Sequence, residues 1–276
     1  MRSSRKRLDE LLLARGLVES RAKAQALIRA GYVTVDGRVV DKPGTRVPED
    51  ASIHLKRLPR YVSRGGEKLE GALRAFGVDP AEKVCLDIGS STGGFVDCLL
   101  QHGAAKVYAV DVGKGLLHWK LRRDPRVVVL EGINARYLTP KEIGEPVDLV
   151  TVDVSFISLR LILPALRGLV VPEGEIIALV KPQFEAGREK VKRGGVVRDP
   201  LVHLEVLRGL GEFVQRELGW SIAGATHSPL LGPAGNIEFF LYILPRPAEG
   251  REVPWEEVVN RAWDELLGGT SGHPQV

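Results

Sequence analysis

The first chemistry this sequence offers is two aspartates on either side of a turn built from small residues. Residues 83–97 read Lys-Val-Cys-Leu-Asp-Ile-Gly-Ser-Ser-Thr-Gly-Gly-Phe-Val-Asp. The apolar, β-branched start, interrupted only by Asp87, is the pattern of a buried parallel strand that meets a ligand at its carboxyl end. Gly89, Gly93 and Gly94 permit a sharp turn and close approach, and Ser90, Ser91 and Thr92 are expected to cap the helix that follows. The dinucleotide fingerprint Gly-x-Gly-x-x-Gly, which rests a pyrophosphate on a helix N-terminus, is not met, because Ser91 stands at the second glycine position. Asp111, 22 residues beyond Gly89, lies at the distance expected of a ribose-binding acid. The two acids therefore suit a ligand with an ammonium group and a ribose diol but no pyrophosphate.

S-adenosylmethionine is such a ligand, and the stretch resembles the first motif of Rossmann-like methyltransferases. The resemblance implies cofactor contacts from Ser63, Gly65, Asp87, Gly89, Ser90, Ser91, Thr92, Gly93, Gly94, Phe95, Asp111, Val112 and Asp153. It adds Asn134, where many methyltransferases place an acid or amide to hold the adenine amino group. The elements that must position these residues alternate. Strands are expected at 84–88, 106–110, 126–130, 147–152, 175–180, 220–228 and 238–244, with helices between them. That alternation means an α/β fold with a doubly wound, mostly parallel seven-stranded sheet.

Lys68, Asp153, Lys181 and Glu238 fall at ends of elements bordering the expected cleft. In order they match the Lys-Asp-Lys-Glu tetrad of ribose 2′-O-methyltransferases with an FtsJ-type domain. Exocyclic-amine methyltransferases usually carry Asp/Asn-Pro-Pro-aromatic after the fourth strand, whereas this chain has Asp153-Val154-Ser155-Phe156. Formation of 5-methylpyrimidines needs a nucleophilic cysteine, and neither Cys85 nor Cys98 is placed for it; both read as small buried residues. A ribose hydroxyl is a poor nucleophile that must be positioned and relieved of its proton, or have its developing charge stabilised. Lys181 is the residue expected at the 2′-oxygen. It can act as base, its proton loosened by a neighbouring Lys68, or as a cation beside the alkoxide. Asp153 and Glu238 are expected to orient the two lysines.

Charge is distributed unevenly. Residues 1–60 hold 14 Lys and Arg against 7 Asp and Glu, leaving 25 against 28 in the remainder. A basic module favours a polyanion, nucleic acid foremost. Its pattern is a helix through Leu8, Leu11, Leu12 and Leu13 ended at Gly16, and a second from Ser20 to Gly31. Two strands joined by Asp36-Gly37, a strong hairpin signal, and a third at 53–55 complete it. Arg-Leu-Asp-Glu-Leu-Leu and Ser-Arg-Ala-Lys-Ala-Gln-Ala-Leu-Ile-Arg-Ala-Gly-Tyr-Val-Thr-Val-Asp-Gly resemble the S4-like RNA-binding domain. The resemblance implies RNA contacts from Arg5, Arg7, Arg21, Lys23 and Arg29.

With Ser-Arg-Gly-Gly-Glu-Lys-Leu at 63–69 and Val-Lys-Pro-Gln-Phe-Glu at 180–185, the whole chain resembles the TlyA (haemolysin A) family. It departs at Tyr61, where a tryptophan is expected. The family implies S-adenosylmethionine-dependent 2′-O-methylation of cytidine in ribosomal RNA, with ribosomal RNA or subunits as partner and no obligate protein partner. The expected division is an S4-like domain at 1–57, a linker at 58–62, an FtsJ-like methyltransferase domain at 63–246, and a C-terminal helix with a disordered tail at 247–276. The polar loop at 185–199, with Arg188, Lys190, Lys192, Arg193 and Arg198, is either a substrate loop or a solvated connection. Two other readings are a non-catalytic RNA-binding or ribosome-assembly factor and a membrane-active haemolysin. No apolar run reaches the ~18 residues of a span, and the basic start lacks the apolar stretch of a signal peptide. A cytoplasmic protein with no membrane partner and no metal site is the expectation.

Overall fold

Short runs rich in valine, isoleucine and leucine become the seven strands of one sheet: β1 (Val84–Ile88), β2 (Lys106–Asp111), β3 (Val127–Glu131), β4 (Val147–Val152), β5 (Val170–Val180), β6 (Ser221–His227) and β7 (Phe239–Leu244). Their order is β6-β7-β5-β4-β1-β2-β3. β1 to β5 run parallel, while β7 is inserted antiparallel between β5 and β6. The computed structural model describes residues 4–56, 59–192, 194–248 and 252–268, and the chain divides into units Met1–Pro59 and Arg60–Val276.

Alternation along β7 shows how the sheet is covered. Phe239, Leu241 and Ile243 pack with Leu207 and Leu210 of the Pro200–Arg216 helix on one face. Phe240 points to the other, against Leu69 of the Arg64–Phe76 helix and Phe95 and Leu99 of the Gly94–Gln101 helix. Helices on both faces are what a parallel sheet requires, since its strands are buried on both sides. β5 begins at Val170 rather than at 175, after a register shift between Val170 and Glu175.

Part of the expected linker belongs to the larger unit. Tyr61 is 3% exposed within its core, and the Val62 N–H donates to Asp97 Oδ2 at 2.8 Å. A Cβ on Gly66 would lie 2.2 Å from the Tyr61 ring, so glycine at 66 admits the ring. Residues 57 and 58 and the expected tail at 269–276 lie outside the described residues.

In the smaller unit, the Leu8–Ala14 and Arg21–Arg29 helices bury Leu8, Leu11, Leu12, Leu27 and Ile28 against Val33, Val35 and Val47. The Val33–Val35 strand pairs with Arg38–Val39 on one side and Ile53–Leu55 on the other. Both turn residues have positive φ, Asp36 at 48° and Gly37 at 78°, as the two-residue hairpin demands. Arg5–Arg7 and Arg46–Pro48 form a further antiparallel pair that apolar periodicity did not reveal.

Asp9 is fully buried, accepting from Arg7 Nε at 3.0 Å, Arg21 Nε at 3.1 Å and Gln25 Nε2 at 2.9 Å. The Arg7 guanidinium foremost holds this carboxyl well below the usual carboxylate range. Its stabilisation is therefore present above the unfolded-state pKa and lost as pH falls through the folded one. Asp9→Ala strands two arginines and is expected to destabilise the smaller unit by about 2 kcal/mol at neutral pH. Denaturant melts of the variant and its parent measure this.

Candidate active site

Where β1, β4 and β5 end, the loops leave a cleft of about 750 Å³ lined by Lys68, Asp153, Lys181 and Glu238 together. The antiparallel β7 explains the fourth of these. Val180 of β5 pairs with Phe239 of β7, so the start of β7 meets the carboxyl end of β5 and Glu238 arrives beside Lys181. Lys68 comes from the first turns of the Arg64–Phe76 helix.

The four residues form two ion pairs. Lys181 Nζ lies 2.5 Å from Asp153 Oδ1 and donates to Ser155 Oγ at 2.9 Å. Lys68 Nζ lies 2.5 Å from Glu238 Oε2 and is almost wholly buried with it. Each lysine thus has its own carboxylate, with Asp153 and Glu238 in the orienting positions. Such an arrangement can hold an ammonium group against a hydroxyl and carry a proton away from it.

The glycine turn closes one side of the cleft. A Cβ on Gly89 would stand 2.3 Å from the Asp153 carbonyl oxygen, and one on Gly94 2.2 Å from Ser63 Oγ. Those glycines let β1 approach β4 and let residues 63–66 approach the Gly94–Gln101 helix. Ser91 has φ 47°, a conformation glycine favours, and its N–H is held by Asp111 Oδ2 at 2.7 Å. The capping expected of Ser90, Ser91 and Thr92 is not made: Gly93 is the N-cap, at φ 96°, and no side chain caps the helix.

Ser63, Gly65, Gly89, Ser90, Ser91, Thr92, Gly94 and Phe95 line the cleft. Asp87, Gly93, Asp111, Val112 and Asn134 are not part of that lining. Asp111 binds the Ser91 and Gly113 N–H groups, one per oxygen. Asn134 Oδ1 accepts from the Arg136 N–H at 3.0 Å, so the acceptor expected for an adenine amino group already serves a local turn. Val112 is 72% exposed.

Asp87 is fully buried and accepts from Thr151 Oγ1 at 2.6 Å through Oδ1, while Oδ2 has no hydrogen-bond partner among the described residues. Burial pushes its carboxyl up to about 8, with Asp153 and Asp111 adding to the rise. The folded state then keeps a proton that the unfolded chain releases near the ordinary value of 3.8. Stability falls as pH rises across that window. Asp87→Asn is expected to flatten the dependence and to stabilise the protein at pH 8 by on the order of 3 kcal/mol. Thermal melts at several pH values between about 5 and 8 measure it.

Ser155 and Phe156, named above only as residues that follow Asp153, also belong to the cleft. Ser155 holds Lys181, and Phe156 stands 89% exposed at φ 64° with its ring 5.0 Å from that of Phe184. A bulky residue in the left-handed region is strained, and here the strain accompanies an aromatic face at the cleft. Among the expected RNA contacts, Lys23 and Arg29 are exposed and Arg5 donates to the Arg46 carbonyl. Arg7 and Arg21 hold Asp9 and also approach Glu10. No group of three or more His, Cys, Asp or Glu among the described residues could hold a metal ion.

The strand order, the glycine turn after β1 and the antiparallel β7 define a Rossmann-like methyltransferase fold. A family model described as FtsJ-like methyltransferase matches residues 61–243, and an S4 domain model matches residues 6–53. The chain belongs to the TlyA family of FtsJ-like methyltransferases. It is 47% identical over 264 residues to the 16S/23S rRNA (cytidine-2′-O)-methyltransferase TlyA of Mycobacterium tuberculosis, covering 95% of this chain and 98% of that one. It is 52% identical over 264 residues to YqxC of Bacillus subtilis, named as a candidate rRNA methyltransferase, covering 94% and 93%. A solved structure described as a candidate hemolysin from Streptococcus thermophilus superposes with a TM-score of 0.74 at 43% identity, covering 95% of this chain and 97% of that one.

Proposed function

We propose that this protein is an S-adenosylmethionine-dependent ribose 2′-O-methyltransferase acting on cytidine in ribosomal RNA. Residues 1–57 are the RNA-binding domain in this reading, and residues 63–246 carry the catalysis. The observation that carries it is Lys181 held between Asp153 and Ser155 in the cleft that Lys68 and Glu238 share with the glycine turn. The names of the M. tuberculosis and B. subtilis relatives support the substrate class.

The residues present fit the methyl donor. Gly89 and Gly94 let the turn close against Asp153 and Ser63 so that it walls the cleft, and Asp87 Oδ2 is a buried carboxyl oxygen without a hydrogen-bond partner among the described residues. Ser63, Gly65, Gly89, Ser90, Ser91, Thr92, Gly94 and Phe95 are the groups assigned to hold it. When bound, S-adenosylmethionine supplies a methyl group made electrophilic by its sulfonium. Lys181 Nζ orients the ribose 2′-hydroxyl and stabilises the charge that develops on its oxygen. Asp153 Oδ1, in contact with Nζ, draws the released proton away from the reacting oxygen. The buried Lys68–Glu238 pair lines the same cleft, and Phe156 offers a face on which the target base can stack.

A cytoplasmic location accords with ribosomal RNA as substrate, and no helix among the described residues is long and apolar enough to cross a membrane. The test is to incubate the protein with labelled S-adenosylmethionine and ribosomal subunits or their extracted RNA. Modified nucleotides are then mapped by resistance of the ribose linkage to alkali. The expected result is a cytidine methylated at the 2′-oxygen. Label on a base, or no transfer to either form of RNA, overturns the proposal.

A further inference from the structure

Asn236 stands two residues before Glu238, on a tight turn closed by the Gly232 N–H donating to the Asn236 carbonyl at 2.9 Å. The side chain is 1% exposed. Its Oδ1 accepts from the Val197 N–H at 2.9 Å, and its Nδ2 donates to the Gly195 carbonyl at 2.8 Å. Both bonds reach across to the polar loop that follows Lys181. Val191, Gly194 and Gly195 of that loop line the cleft alongside Asn236 itself.

The loop is fastened elsewhere as well. Lys192 and Val196 form an isolated bridge, and Val196 and Val197 are buried. At the head of the loop, Glu185 accepts from Ser158 Oγ at 2.6 Å and the Leu159 N–H at 2.8 Å. Lys190 pairs with Glu205, whereas Arg188, Lys192 and Arg198 have no carboxylate partner among the described residues. A loop that carries cations next to residues lining the cleft and is tied down by a buried amide suits an anionic ligand.

We infer that Asn236 is a positioning residue for RNA: it fixes residues 194–197, together with Val191 and Lys192, relative to Lys68–Glu238, so that backbone phosphates next to the target nucleotide meet a preformed basic edge. This rests on the function proposed above. The amide suits the task because it offers one acceptor and one donor to two backbone groups that nothing else nearby satisfies together.

The experiment uses full-length protein with ribosomal RNA. Asn236→Ala is expected to raise the KM for RNA about tenfold, leave kcat at saturating RNA within about twofold and leave S-adenosylmethionine affinity unchanged. Hydrogen exchange at Gly195–Val197 should accelerate in the same variant, with residues 83–97 unaffected. Unchanged KM together with unchanged exchange, or a loss confined to kcat, overturns the inference. Asn236→Asp covers the case in which Asn236→Ala fails to fold. A protonated carboxyl keeps one donor and one acceptor, whereas an ionised one has acceptors only. The variant-to-wild-type ratio of KM should therefore rise with pH as the carboxyl ionises, and a ratio of one at every pH overturns the inference. If the wild type methylates no RNA, the functional reading fails, while the exchange measurement still decides whether Asn236 pins the loop.

Discussion

Lys181→Ala is expected to lower the rate of methyl transfer at saturating RNA and cofactor by about 10³-fold. The reason lies in what remains. Without Nζ, the Asp153 carboxylate that now sits 2.5 Å from it faces the reacting oxygen alone, and like charge raises the barrier where a cation had lowered it. Lys181→Arg should recover little, because a planar guanidinium cannot occupy the compact site between Asp153 Oδ1 and Ser155 Oγ. RNA and cofactor affinities should stay within about threefold, since the loss belongs to the transition state. Single-turnover rates beside equilibrium binding separate the two effects. Full activity in Lys181→Ala would remove the basis of the mechanism.

The second large effect is expected from the smaller unit. Changing Arg5, Lys23 and Arg29 together to alanine should weaken RNA binding by about 10²-fold near physiological salt. It should also reduce the slope of log affinity against log salt by roughly 2 to 3, at ~0.7–0.9 for each phosphate contact removed. Arg7 and Arg21 are left out on structural grounds. Both hold the buried Asp9, so their removal would mix loss of stability with loss of contact. An unchanged slope in the triple variant would mean that these cations meet no phosphate.

Much of the fold could be read in advance because each strand is a contiguous, self-announcing run, as in the apolar stretches of β1 and β4. The Arg5–Arg7 strand was not, since three basic residues carry no apolar period and their pairing with Arg46–Pro48 is made across the unit. The cleft residues Lys68, Asp153, Lys181 and Glu238 were legible as a set. Their pairing was not, because it depends on the antiparallel register of β7 against β5, and no local pattern encodes that register. The structure gives each lysine its own carboxylate, Asp153 for Lys181 and Glu238 for Lys68. Ser91 is a similar case: its residue type argued against glycine geometry, yet the backbone adopts that geometry with Asp111 holding the strained N–H. The sign of the small unit's surface was plain from composition, but the engagement of two arginines with Asp9 was visible only in three dimensions.

β7 is the penultimate strand in space and the last in sequence, lying between β5 and β6. Lys68 and its partner Glu238 are separated by 170 positions along the chain. A polypeptide interrupted between residues 97 and 238 therefore holds every group of the glycine turn but lacks Glu238. On the ribosome, where synthesis runs from the amino end, the smaller unit and the glycine turn emerge before β7, and in the proposed mechanism competence for chemistry waits on that final strand.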